Sequence, residues 1–277
     1  MPSGSMSTTG DAKKKAADTY NAASDFYDHP ANTFWQRYGR RTVERLRLTP
    51  GTRVLDVCCG SGASAIPAAE TVGPNGSVVG VDLAENLLEL ARTKAKKRGL
   101  DNIQFQSGDL TQLPFDENSF DVVVCVFGIF FVPDMHAALR ELKRVARPGG
   151  RVAVTTWGPR FFEPASTAFW NSVRDVRPDL YKGFNPWDRI SGVDAVRSLF
   201  VAAGLPEVEV VAESDSQPVN SPEDWWAMIM GSGYRGTVEQ LTTPDRERVR
   251  EENLDFVRRS AVRSLEANVV YATANKT

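Results

Sequence analysis

The feature that most limits what this chain can become is the run Val54-Leu55-Asp56-Val57-Cys58-Cys59-Gly60-Ser61-Gly62. An apolar strand passes there directly into a turn of small residues. Such a turn lets backbone N–H groups approach a ligand closely, because few side chains stand in the way. About one βαβ unit later, Val78-Val79-Gly80-Val81-Asp82 ends a second apolar strand on a carboxylate. A carboxylate at that point can accept from both hydroxyls of a ribose, so the two segments together point to a nucleoside-bearing ligand.

Strands and helices alternate from this point on. Strands are expected at 53–57, 77–81, 103–106, 121–126 and 151–156, with helices at 63–72, 85–97 and 135–146. The last helix is read as stopped by Pro148-Gly149-Gly150. The alternation predicts an α/β fold whose parallel sheet carries helices on both faces. Ahead of it, residues 11–48 read as N-terminal helices broken at His29-Pro30. Residues 1–10 are expected to stand apart from the fold, with a native start at Met6. Residues 49–277 form one domain with lid insertions at 158–192 and 216–264, and two further strands are expected at 208–211 and 268–273.

Gly60-Ser61-Gly62-Ala63-Ser64-Ala65 also satisfies the dinucleotide pattern G-x-G-x-x-A, with Asp82 at a workable distance. Three features move the reading away from it. Asp56 would repel a pyrophosphate but suits an ammonium or a sulfonium. Gly108-Asp109-Leu110 offers a carboxylate and a backbone N–H to an adenine ring. Arg147-Pro148-Gly149-Gly150 makes a tight reversal before the fifth strand. Taken singly, Asp82 could be only a helix cap and Asp109 only a turn residue; their occurrence together is what carries weight.

At these residues, from about 49 to 157, the chain resembles the class I S-adenosylmethionine-dependent methyltransferases. The resemblance implies a Rossmann-like seven-stranded, mostly parallel sheet, with a helical lid insertion before the last strand. In that family the first motif is an acid, any residue, then G-x-G-x-G. Asp56, Gly60 and Gly62 match it, and Cys58 stands where the first glycine is common. By carry-over, Gly60, Ser61 and Gly62 would line the methionine and ribose portion of S-adenosylmethionine. Asp82 would hold the ribose, Asp109 and Leu110 the adenine, and Val126 and Phe127 the methionine end. Tyr20, Cys58 and Leu83 complete the expected cofactor set.

Methyl transfer needs alignment of acceptor, methyl and leaving sulfur, and exclusion of water; a base is needed only for an acceptor proton of high pKa. Phe127, Phe130, Phe131, Trp157, Phe161, Phe162 and Trp170 follow the ends of the fourth and fifth strands, where such sheets bind ligands. Half or more of these rings would simply build core. Their density still favours a small apolar or aromatic acceptor, methylated at oxygen, nitrogen or carbon. Candidate bases are His29, with Tyr20, Tyr27 and Glu163 as comparable choices, whereas His136 reads as a surface residue. Leu113-Pro114-Phe115 and the segment 120–128 look like the quinone-biosynthesis C-methyltransferases, although Phe130-Phe131 stands where many of those carry histidines. Quinone methylation is thus one possibility within the class.

With 33 Lys plus Arg against 35 Asp plus Glu, no strong field recruits nucleic acid. Methylation of RNA or protein, or a non-catalytic cofactor-binding module, are the alternatives. The three cysteines lack metal-ligand spacing and fit a reduced, cytoplasmic protein. No metal site and no membrane span is expected.

Overall fold

The computed structural model describes residues 9–277, so the expectation for residues 1–10 falls largely outside the described part; Thr9 and Gly10 already lie in the first helix. Helix α1 (Thr9–Tyr27) is followed by a 3-10 turn at Pro30–Asn32 and by α2 (Thr33–Leu46), so the chain does break at His29-Pro30. Then come β1 (Arg53–Val57), α3 (Ala65–Val72), β2 (Ser77–Asp82), α4 (Glu85–Lys97), β3 (Ile103–Ser107), β4 (Phe120–Val126), α5 (Met135–Val145) and β5 (Ala146–Trp157). The remainder is α6 (Ala165–Val176), α7 (Val193–Ala202), β6 (Val208–Glu213), β7 (Ser216–Pro218), α8 (Pro222–Met230), α9 (Arg235–Val238), α10 (Thr243–Arg259), β8 (Ser264–Glu266) and β9 (Val269–Asn275).

Seven strands form one sheet in the order β3-β2-β1-β4-β5-β9-β6, and β9 runs antiparallel to both its neighbours. This is the Rossmann-like arrangement of a mostly parallel sheet surrounded by helices. Strands covered on both faces need continuous apolar runs, and Val122, Val123, Val124 and Cys125 of β4 are all buried. The strand order reverses between β1 and β4, which pair in parallel with Val57 beside Cys125. A crevice opens at the carboxyl ends of two such strands, and ligands bind there.

The insertion before the last strand is a packed helical layer. Asn253 of α10 joins three helices: it accepts from Trp225 Nε1 of α8 at 2.9 Å and donates to Ser172 Oγ of α6 at 2.9 Å. The layer also grips the N-terminal helices, because Trp35 Nε1 donates to Gly231 O at 3.2 Å and Asn32 Nδ2 to Ala227 O at 3.3 Å. Behind the crevice a column of rings runs Phe127–Trp157–Phe161–Phe162, with successive centroids 3.7, 3.8 and 3.8 Å apart. Among the described residues no helix is long and apolar enough to cross a membrane.

Candidate cofactor and acceptor site

β1 ends at Val57, and the turn after it is held in shape by Asp82 at the end of β2. Asp82 Oδ2 accepts from Gly60 N at 2.8 Å and Oδ1 from Ala84 N at 2.9 Å. The carboxylate therefore braces the glycine turn and the entry to α4 at once, while each oxygen keeps lone pairs for a ligand. Burial pushes its pKa up, and the backbone donors at Ala84, Gly60 and Leu83 pull it back. Gly60 has φ +53°, and a Cβ there would stand 2.8 Å from the Tyr27 hydroxyl. Only a glycine leaves the space open.

Cys58 occupies the position of the usual first glycine and adopts φ +59°. A non-glycine residue in that region costs on the order of 1–2 kcal/mol. Room for its side chain comes from the other side of the crevice: a Cβ on Gly128, just past β4, would lie 2.3 Å from Cys58 Cβ.

A cavity with about 730 Å³ of atom-free space opens at this point. Nine of the expected cofactor residues line it: Tyr20, Cys58, Gly60, Asp82, Leu83, Asp109, Leu110, Val126 and Phe127. Three do not. Asp56 is wholly buried behind the turn, where its Oδ2 accepts from Ser64 Oγ at 2.6 Å. Ser61 faces away from the cavity, donating to Asp28 at 2.9 Å and accepting from Lys94 at 2.7 Å. Gly62 lines a separate surface groove with Arg37 and Lys94. Ser61 and Gly62, expected to line the methionine and ribose portion of the cofactor, are thus not among the residues lining this cavity in the structure.

Sequence reasoning singled out Tyr20 and Tyr27 of α1 but missed Lys13, Ala16 and Ala17, which complete that helix's wall. Lys13, Ala16, Ala17, Tyr20 and Tyr27 line the cavity from one face of this helix. Their helical spacing, with two alanines in the middle, was the available signal. Lys13 Nζ lies 2.6 Å from Asp109 Oδ2, while Oδ1 accepts from Thr111 N and Thr111 Oγ1. Burial alone would raise the Asp109 pKa, but Lys13 and Thr111 hold it below the usual range. Further clasps tie α1 down: Asn86 N donates to Asn21 Oδ1 at 3.0 Å, and Lys94 pairs with Asp28 at 3.0 Å.

His29 is not brought to the cavity. It is exposed, and its Nδ1 accepts from Ala31 N at 3.1 Å as the cap of the 3-10 turn. Glu163 accepts from the Thr167 hydroxyl and lies outside the cavity, and His136 is exposed near Asp134. Tyr20 and Tyr27 do line it, but burial raises both phenols well above their ordinary pKa. They are hydrogen-bond donors at neutral pH and unsuited to removing a proton.

Burial also raises the Asp56 pKa to about 7, and its Oδ1 has no hydrogen-bond partner among the described residues. Because the folded pKa exceeds the unfolded value of 3.8, the folded chain retains a proton the unfolded chain has lost. Stability then falls as pH rises from about 4 to 7, and the penalty is complete above that window. Asp56→Asn has no such slope. Its melting temperature relative to the parent is expected to shift in the variant's favour between pH 4 and 8. A difference constant over that range would mean that Asp56 does not titrate there.

The geometry suits S-adenosylmethionine. The Gly60 side of the turn is open to close approach, Asp82 presents acceptor lone pairs at the end of β2, and Leu83, Leu87 and Leu110 offer apolar contact for a flat ring. The sequence pattern of the ubiE/COQ5 methyltransferase family matches residues 10–184. A demethylmenaquinone methyltransferase from Listeria welshimeri is 39% identical over 212 residues, covering 73% of this chain and 89% of that protein. Another, from Geobacillus kaustophilus, is 46% identical over 180 residues, covering 61% and 76%. Among solved structures, a SAM-dependent methyltransferase from Aquifex aeolicus superimposes with a TM-score of 0.53 at 22% identity, covering 69% of this chain and 89% of that one.

Proposed function

Because the chain belongs to the ubiE/COQ5 methyltransferase family, and is thereby an S-adenosylmethionine-dependent methyltransferase acting on a small molecule, we propose that its acceptor is apolar or aromatic and binds in the groove beside the cofactor cavity. That groove holds about 1270 Å³ of atom-free space and shares Ala16, Tyr20, Phe131 and Val132 with the cofactor cavity. The shared wall is the observation that carries the reading. Tyr20 and Phe131 meet edge to face at 5.5 Å where the two spaces adjoin, so an acceptor in the groove would lie next to a methyl donor in the cavity, beside these two rings.

When bound, the cofactor supplies a methyl group on a sulfonium that an acceptor atom displaces in line. Asp82 would hold the ribose, Asp109 and Leu110 the adenine end, and Val126 and Phe127 the methionine end. Tyr20 and Phe131 would orient the acceptor and keep water from the reacting atoms. With both phenols protonated, the acceptor would arrive as an anion or an electron-rich carbon. The relatives' name points to a quinone ring as one member of this class. Phe130-Phe131 makes this wall more apolar than a histidine pair would. Three free cysteines fit a reducing, cytoplasmic setting.

Calorimetry with S-adenosylhomocysteine and with NADH tests the cofactor assignment, and product release with naphthol and hydroquinone acceptors tests the acceptor class. Binding of the first ligand alone, with turnover of the aromatic acceptors, is expected. Turnover confined to RNA or protein acceptors would overturn the proposal.

A further inference from the structure

The wall shared by the cofactor cavity and the acceptor groove lies in a stretch of chain that cannot hold its own shape. The 3-10 turn Ile129–Phe131 ends at Val132, whose backbone is extended (φ −92°, ψ 145°), as a residue before proline prefers. Pro133 brings no N–H, so Phe130 O lacks the donor three residues on that a continuing turn would supply. Phe131 and Val132 line both spaces, while Phe130 and Pro133 line the groove. The missing donors come from the lid insertion. Arg189 Nη2 donates to Phe130 O at 2.5 Å and to Val132 O at 3.0 Å, and Nη1 donates to Pro133 O at 3.3 Å. Its Nε donates to Pro186 O at 3.2 Å, within its own 3-10 turn Pro186–Ile190. Trp187 of that turn packs edge to face on Phe130 at 5.9 Å and on Phe161 at 5.6 Å.

Arg189 lines the groove, but four of the five N–H donors of its guanidinium are engaged with backbone carbonyls. It is thereby an anchor of the wall and not a ligand for the acceptor. The turn that carries it is braced in its own right, since Asn185 N donates to Asp188 Oδ2 at 2.7 Å in a capping box. We propose that Arg189 is a positioning residue for methyl transfer: by holding the Phe130–Pro133 backbone it fixes where Phe131 and Val132 stand, and so which atom of the acceptor meets the methyl group. In-line displacement tolerates little misplacement, and a shift of about 1 Å costs on the order of a hundredfold in rate. The planar fork of arginine reaches carbonyls in several directions, whereas the ammonium of lysine is a single point donor. This inference rests on the placement of the acceptor in that groove.

The test is a competition between 1-naphthol and 2-naphthol as acceptors for the full chain at saturating S-adenosylmethionine, read as the ratio of the two methylated products. That ratio does not depend on how much of the enzyme is folded, so a merely structural loss leaves it unmoved. The parent is expected to prefer one isomer by about tenfold. Arg189→Met should reduce the preference to about threefold or less, with Arg189→Lys in between. A ratio unchanged in Arg189→Met, or a parent that does not discriminate between the isomers, overturns the positioning role but leaves the groove assignment standing. Gly233→Val tests that assignment separately. Gly233 lines the groove, and a Cβ there would stand 3.6 Å from the Tyr20 hydroxyl and 3.9 Å from the Trp187 ring, so valine takes up acceptor space. It should raise the KM of both naphthols roughly tenfold. An unchanged KM in Gly233→Val, or no turnover of either naphthol by the parent, overturns the groove assignment and the positioning role together.

Discussion

Replacing Asp82 with alanine is expected to weaken S-adenosylhomocysteine binding by about a hundredfold or more. Two hydrogen bonds from ribose hydroxyls to a carboxylate contribute about 3 kcal/mol together, and each 1.4 kcal/mol is a factor of ten. The variant also loses the acceptor for Gly60 N and Ala84 N, so the turn itself loosens. Melting without ligand reads that second cost separately from calorimetry with ligand. An affinity within about threefold of the parent would reduce Asp82 to a brace of the turn.

Trp157→Ala is expected to be the most damaging single truncation in the ring column. Trp157 is 2% exposed and lies between Phe127 and Phe161, with interplanar angles of 10° and 19°. Tyr38 and Phe34 close its edges at 5.8 and 5.9 Å. Truncating a tryptophan so enclosed costs about 3–5 kcal/mol, a fall in melting temperature on the order of 10 °C for a chain of this size. A fall of less than about 3 °C would mean that the neighbouring rings collapse into the space. Phe127 also lines the cofactor cavity, so the affinity for S-adenosylhomocysteine should fall with stability.

The sheet was legible because its central strands are apolar, valine-rich runs, which call for cover on both faces. Its margins were less so. Pro148-Gly149-Gly150 reads as a helix stop, yet β5 already begins at Ala146 and pairs with Phe120 before a register shift. The β7–β8 pair was invisible, since three residues containing Pro218 show no alternation. In the site, spacing identified the glycine turn but could not say which way each member faces. That depends on the positive φ values at Cys58, Gly60 and Gly62, which turn Ser61 outward. His29 was singled out for its chemistry, whereas its place at a helix break made it a cap. Of the α1 wall, Tyr20 and Tyr27 were singled out, but Ala16 and Ala17 were missed because alanines carry no chemical signal, although their spacing did.

The fit of Cys58 against Gly128 has a consequence for how the family can diverge. The two positions belong to different strands' ends and different motifs, but they share one space. A methyl group at 128 cannot be admitted while a side chain remains at 58. With glycine at 58, its nearest neighbour in that space would be Cys125 Sγ, at 3.1 Å. Substitutions here are thus ordered in time: a lineage must lose the thiol before it can gain a side chain opposite, and reversion is blocked once it has done so.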